Sequence, residues 1–261
     1  MIRADLHIHT VWCDGKSTTE EVVKAAIDAG MDAIGFSSHS YTSFEPYGLN
    51  PESELQYRAD VAKLKIKYAD KIKILLGIEQ DDLSDYPASD EYDYIIGSVH
   101  CIPTEGEPLV TDHTPEILDE GVQKYFGGDY YAYAEKYFER LAKVVENTNC
   151  NVIAHFDCLA KFNEKSNFFD EDNPRYVAAW KKAADELLKT GKPFEINTGA
   201  ISRGWRTDAY PAKPIRDYLK EHGAKFILSS DSHTASTLEF KFADYSDYLS
   251  EEAVLDIINK K

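Results

Sequence analysis

The chain has 261 residues, 43% hydrophobic and 29% charged, a balance that fits a globular fold and excludes fibrous and disordered classes. It carries 29 basic against 46 acidic residues, a net charge of −17, with no basic run to neutralise a phosphate backbone, so the charge argues against nucleic acid and against anionic membrane surfaces as partners. No stretch approaches the roughly 18 apolar residues of a spanning helix, and Met1–Thr10 is polar where a signal peptide is apolar, so a cytoplasmic protein is expected.

Short apolar runs alternate with helical patterns along the chain. Ile2–Ile8 reads as the first strand, and Thr18 with Glu21 forms a capping-box signature for a helix ending at Gly30. Ala33–Ser37 is the second strand. An amphipathic pattern over Glu52–Tyr68 precedes the third, Lys73–Ile78, and an acidic loop without a helix leads to the fourth, Tyr94–Val99. Cys101–Gly128 reads as a loop region. A helix with Ala134, Tyr137, Phe138, Leu141 and Val145 on one face leads to a fifth strand, Asn151–Ala154. Another, with Val177, Trp180, Ala184 and Leu187, leads to a sixth, Pro193–Ile196. Pro214–Glu221 is a short helix before the seventh strand, Lys225–Leu228, and Glu251–Ile258 closes the chain.

Strands alternating with helices imply right-handed βαβ crossovers, and seven of them predict an α/β fold of one domain, a closed or nearly closed (β/α) barrel over 1–261. A doubly wound open sheet is the competing architecture. Its glycine-rich turn after the first strand is missing, since His7-Ile8-His9-Thr10 stands there.

Six of the eight histidines fall at or just beyond the end of a predicted strand. His7 and His9 end the first, with Asp14 close behind; His39 follows the second; Glu79 ends the third; His100 the fourth; His155 the fifth; Asp231 and His233 follow the seventh. In a parallel barrel all strand C-termini open on one face, so these residues converge on a single mouth. His7 and His9, two apart on extended backbone, point the same way and can hold one ion together. Nine ligand-type residues exceed what one ion needs, so more than one metal is implied, and imidazoles with carboxylates suit zinc, iron or manganese. The other histidines, His113 and His222, read as loop and helix-end residues. Cys13, Cys101, Cys150 and Cys158 form no CxxC pair and are expected to be free thiols rather than ligands.

The motifs DLHIHT with Asp14-Gly15, SSHS at His39, GIE at Glu79, GSVH at His100, AHFD at His155 and SSDSH at Asp231 and His233 resemble, in order, those of the polymerase and histidinol phosphatase (PHP) superfamily. The length and the Ile96–His100 segment with the insertion after it are most similar to its histidinol-phosphate phosphatases. The resemblance implies a distorted seven-stranded barrel with three divalent ions: His7, His9, Glu79 and Asp231 on the first, Glu79, His100 and His155 on the second, and Asp14, His39 and His233 on the third. It implies hydrolysis of L-histidinol phosphate, a small phosphate monoester, in histidine biosynthesis. Three divalent ions against the carboxylates Asp14, Glu79 and Asp231 leave the mouth positive on an acidic body.

Asp231 or His233 is the expected general acid for the leaving group. Arg203 and Lys161, with Arg206 behind them, are the expected phosphate-binding cations. Asp81, Asp82, Tyr41, Phe44, Tyr47, Tyr125 and Trp205 are candidates to rim the mouth around the amine and imidazole of the substrate. The competing functions are a PHP phosphatase for a nucleotide or phosphotyrosine, and a metal-bearing module without catalysis.

Overall fold

The computed structural model describes residues 2–260. Its strands are β1 (Ala4–Asp5), β2 (Ala33–Phe36), β3 (Lys73–Asp81), β4 (Tyr94–Ser98), β5 (Cys101–Ile102), β6 (Leu109–Val110), β7 (Val152–Ile153), β8 (Phe194–Asn197) and β9 (Phe226–Ser229). The helices are α1 (Thr19–Asp28), α2 (Pro51–Lys67), α3 (Pro115–Phe126), α4 (Tyr130–Leu141), α5 (Val144–Thr148), α6 (Asn163–Ser166), α7 (Pro174–Leu188), α8 (Gly199–Ser202), α9 (Lys213–Glu221) and α10 (Glu251–Ile258). Seven strands run parallel in the order β1-β2-β3-β4-β7-β8-β9, as expected, while β5 and β6 form a separate antiparallel hairpin. A parallel bridge between Ile8 and Ser232 brings the two edges together: His9 N–H donates to Ser232 O at 2.8 Å and Ser232 N–H to His7 O at 3.2 Å. The barrel is thereby nearly closed.

The first strand is shorter than Ile2–Ile8, because beyond Asp5 the chain bends toward this seam and carries only isolated bridges. β3 is longer than expected and keeps pairing with β4 through Asp81. Tyr94 fills the interior below the mouth. A Cβ on Gly77 would stand 2.3 Å from a carbon of its ring and one on Gly35 2.3 Å from its hydroxyl oxygen, so these two strands pass close to a side chain whose hydroxyl donates to Leu6 O at 2.6 Å.

Two expectations are corrected. Cys101–Gly128 is not a plain loop: it holds the β5–β6 hairpin and α3. Thr114 caps α3, accepting from Ile117 N–H at 3.2 Å, Pro115 opens it, and Gly127 ends it at φ 61°. Leu118 and Val122 bury one face, which is what holds the helix down. The single helix expected through Val145 is broken into α4 and α5 at Ala142-Lys143.

The helices cover the barrel through apolar stripes. Tyr133, Tyr137, Phe138 and Leu141 of α4 pack with Tyr176, Trp180 and Leu187 of α7 in the larger core cluster. Val22 and Val23 of α1 meet Tyr57, Val61 and Leu64 of α2 over β2 and β3. Each such side chain contributes roughly 1.5–3 kcal/mol by leaving water, and together they hold the strand ends that carry the site. Among the described residues, no helix is long and apolar enough to cross a membrane.

Candidate metal centre

All nine predicted ligands meet at the C-terminal mouth. Glu79, at the end of β3, lies at their centre: its Oε2 is 3.2 Å from His7 Nε2, 3.4 Å from His9 Nε2 and 3.0 Å from His39 Nδ1. Its Oε1 is 2.9 Å from His155 Nε2 and 3.2 Å from His100 Nε2. Asp231 Oδ1 approaches His9 Nε2 at 3.3 Å, and His233 Nε2 reaches Asp14 Oδ2 at 3.1 Å. Three overlapping donor groups result: His7, His9 and Glu79; His39, Glu79 and His100; His9, Asp14, His39 and His233. The atoms within each group lie within 4.8 Å of one another.

The donor set fits metal. His7 Nε2, His9 Nε2 and Glu79 Oε2 are buried and lack a hydrogen-bond partner, a costly arrangement for polar atoms in a folded interior. Two further carboxylates explain how the lone pairs come to face one another. Glu195 Oε2 accepts from His7 Nδ1 at 2.8 Å, and Asp81 Oδ2 accepts from His100 Nδ1 at 3.1 Å. A carboxylate only accepts, so each Nδ1 carries the hydrogen and each Nε2 presents a lone pair toward Glu79. Acceptors crowded on acceptors are reconciled by a cation.

The electrostatics run the same way. Burial raises the Glu79 carboxyl, but the coulombic pull of His7, His100 and His39 outweighs it and holds the group well below its ordinary range; against burial, Glu195 and Glu79 raise His7, and Glu79 and Asp81 raise His100, so without an ion protons on these rings supply the positive charge that a metal would replace. Burial likewise opposes, and Arg203 and His7 overcome, so that Asp231 is also held low. His9 goes down to about 3, through burial and then the neighbouring His39 and His233. The carboxylates stay ionised and His9 keeps a free lone pair, the states in which they bind metal.

The predicted cations stand at the same mouth, each already engaged. Arg203, beyond β8, donates to Asp231 Oδ2 and to Asp231 O, both at 2.9 Å, and lies 3.1 Å from His233 Nδ1. Gly199 makes room for this fork, since a Cβ there would be 2.8 Å from both Arg203 and Asp231. Lys161 donates to Asp112 O at 2.6 Å and to its carboxylate at 3.1 Å. Arg206 is buried against Asp157 at 3.6 Å and does not line the cavity.

The cavity over the cluster measures about 320 Å³; besides Asp14, His39, Glu79, His100, His155, Asp231 and His233 it is lined by Tyr47, Val110, Asp112, His113, Cys158, Tyr210 and the two cations Lys161 and Arg203. Of the proposed rim residues only Tyr47 lines it. Asp81 backs His100, Asp82 pairs with Arg140 under the surface, Tyr41 stacks on Tyr86, and Trp205 packs edge-on against Phe162. His113, read as an ordinary loop residue, lines the rim, whereas His222 caps α9 with Nδ1 on Tyr218 O at 2.7 Å. All four cysteines are free thiols, and none belongs to a converging donor group among the described residues.

Sequence reasoning missed Glu195 and Asp112. Glu195 had a signal, an acid between Phe194 and Ile196 in a strand that is buried throughout. Asp112 had none, because its partner Lys161 is remote in sequence.

A parallel barrel with such a mouth defines a class of metal-binding scaffolds whose chemistry sits at the strand C-termini. Within that class the chain is a member of the PHP domain family, whose model matches residues 5–199. A protein of Deinococcus radiodurans named a probable histidinol-phosphatase is 29% identical over 262 residues, spanning 92% of this chain and 90% of that one. Two solved structures share the fold. One is from Listeria monocytogenes, whose proposed activity is that of a histidinol phosphatase, with a TM-score of 0.81, 21% identity and 93% and 100% of the two chains covered. The other is histidinol phosphate phosphatase from Lactococcus lactis, with a TM-score of 0.63, 19% identity and 99% and 93% covered; it was solved with zinc, L-histidinol and phosphate.

Proposed function

We propose that this chain is a metal-dependent phosphomonoesterase, a single PHP-type domain in the cytoplasm that hydrolyses L-histidinol phosphate to L-histidinol and phosphate. The observation that carries the reading is the cluster of nine ligand-type side chains around Glu79, opening on a small cavity that also holds Arg203 and Lys161. The names of the D. radiodurans and L. lactis relatives support the substrate.

His7, His9, Glu79 and Asp231 would hold one divalent ion, Glu79, His100 and His155 a second, and Asp14, His39 and His233 a third, drawn from zinc, iron or manganese. When bound, such ions supply Lewis acidity to phosphoryl oxygens and bring the pKa of water toward neutrality. The protein supplies the rest. Glu195 and Asp81 hold the His7 and His100 rings in the ligating tautomer. Arg203 and Lys161 face the cavity as fixed positive charges for the phosphate oxygens. Water adds to phosphorus as the ester P–O bond breaks; of the two expected acids Asp231 is held ionised, so His233, which against burial Asp14 and Asp231 raise, delivers the proton to the departing alcohol oxygen.

A volume of about 320 Å³ fits a compact monoester. Steady-state kinetics across L-histidinol phosphate, nucleoside monophosphates and a phosphotyrosine peptide test the substrate. The expected result is the highest kcat/KM on L-histidinol phosphate. A preference for either other class would move the substrate while keeping the chemistry, and inactivity on all of them with metal bound would leave a module that only binds metal.

A further inference from the structure

His9 lies against the rings of His39 and His233, at centroid distances of 4.3 and 4.4 Å and interplanar angles of 31° and 25°. These contacts constrain the plane of its ring but not which edge faces Glu79. A half-turn about the Cβ–Cγ bond keeps both ring contacts, exchanges Nδ1 with Cδ2 and Nε2 with Cε1, and takes the donor nitrogen away from Glu79 and Asp231. The side chain is fully buried and its Nε2 has no hydrogen-bond partner, so the choice of edge decides whether His9 is a ligand at all.

Glu195 and Asp81 make that choice for His7 and His100. The acid beside His9 does not. Asp14 Oδ1 stands 3.7 Å from His9 Nδ1, beyond hydrogen-bond reach, and the same carboxylate faces His39 and His233. What does reach Nδ1 is a thiol: Cys13 Sγ is 3.5 Å from His9 Nδ1 and 3.6 Å from Thr10 O. A carbonyl only accepts, so the thiol hydrogen turns to Thr10 O and the sulfur lone pairs are left for the ring N–H.

We propose, building on the metal-dependent reading above, that Cys13 is the positioning residue of His9: its sulfur accepts the Nδ1 hydrogen and so turns the Nε2 lone pair toward the first ion. An uncharged acceptor suits this place. Glu79 and Asp231 already face the ring and Asp14 follows Cys13 in the chain, so a further carboxylate would add like charge to a crowded mouth, whereas a thiol accepts without charge. The backbone holds the sulfur where it is needed: Cys13 N–H donates to Thr10 O at 3.0 Å, and Lys16 N–H to His233 O at 2.7 Å, which ties this turn to the last ligand segment.

Zinc affinity of the full chain, read by competition against a chelator, tests the role, with cobalt(II) absorption as a second reading. Cys13→Ala leaves the Nδ1 hydrogen without an acceptor and is expected to weaken one of the bound ions about tenfold, while Cys13→Ser, whose hydroxyl both donates and accepts, should restore the affinity to within about threefold of wild type. The metal-free variants should keep the wild-type far-UV spectrum, because Cys13 lies in a turn outside the core clusters. The cobalt(II) form of the wild type should show no thiolate-to-cobalt charge-transfer band that Cys13→Ser removes. Wild-type affinity in Cys13→Ala would overturn the proposal, and so would equal losses in the Ala and Ser variants, which a packing role alone would give. A charge-transfer band lost in Cys13→Ser would make the sulfur a ligand and overturn it as well. A wild type that binds neither zinc nor cobalt would overturn the metal centre itself, a failure distinct from wild-type binding that is indifferent to Cys13.

Discussion

Replacing Glu195 by Gln separates the support of the metal centre from its ligands. Glu195 is fully buried, and both its oxygens accept: Oε2 from His7 Nδ1 at 2.8 Å, Oε1 from His155 N–H at 2.6 Å and from Asn197 Nδ2 at 2.9 Å. Glutamine has the same shape but turns one oxygen into an NH₂ donor. If the NH₂ faces His155, donor opposes donor. If it faces His7, Nδ1 must become an acceptor, the ring hydrogen moves to Nε2, and the lone pair that faced Glu79 is lost. A buried donor left unsatisfied costs roughly 1–3 kcal/mol, and loss of such a ligand-orienting partner lowers metal affinity about 10–100-fold. Competition against a chelator of known affinity measures the metal loss, and thermal melting of the metal-free protein measures the stability loss. Wild-type metal affinity together with wild-type stability in Glu195→Gln would refute the argument, since each orientation of the amide must cost one or the other.

Other consequences are open to simple measurements. Lys161→Met is expected to raise KM for the phosphate ester about ten- to a hundredfold, the worth of a hydrogen bond to a charged group, and unchanged kinetics would remove Lys161 from substrate binding. Chelation should lower Tm by more than about 5 °C, with recovery on adding back zinc or manganese, because an ion held at a hundredfold over its dissociation constant stabilises by about 2.7 kcal/mol. The Asp82 carboxyl, raised to about 6 by burial and by Asp81 against the pull of Arg140, makes acid-side stability a further test. Its folded value lies above the unfolded one, so the folded state binds the extra proton and stability rises as pH falls through the window between about 6 and about 4. From pH 7 to pH 5 the wild type should gain about 1 kcal/mol relative to Asp82→Asn in urea melts; a pH-independent difference between the two would contradict the raised value.

The ligands were legible in the sequence because they obey local rules. His7 and His9 share a face by strand alternation, and His39, Glu79, His100 and His155 close apolar runs that read as parallel strands. What positions those ligands was harder to read. Glu195 and Asp81 act through partners 188 and 19 residues away, and no periodicity announces such pairs. α3 was overlooked because Pro103–Pro108 is turn-rich and drew the whole segment into a loop, although Thr114-Pro115 and Gly127-Gly128 mark its ends. Arg203 and Lys161 line the cavity, but their engagement with Asp231 and Asp112 depends on the barrel having closed.

The central claim is that the Glu79 cluster holds the metals that hydrolyse L-histidinol phosphate. One titration tests it: metal-free protein is reconstituted with zinc, manganese or iron, and bound metal and turnover of L-histidinol phosphate are read on the same samples. Activity should appear as the sites fill, saturating at about three ions per chain, and Glu79→Gln should bind fewer ions and stay inactive. Full turnover in metal-free protein, or a metal-loaded wild type that leaves L-histidinol phosphate intact, would contradict the account.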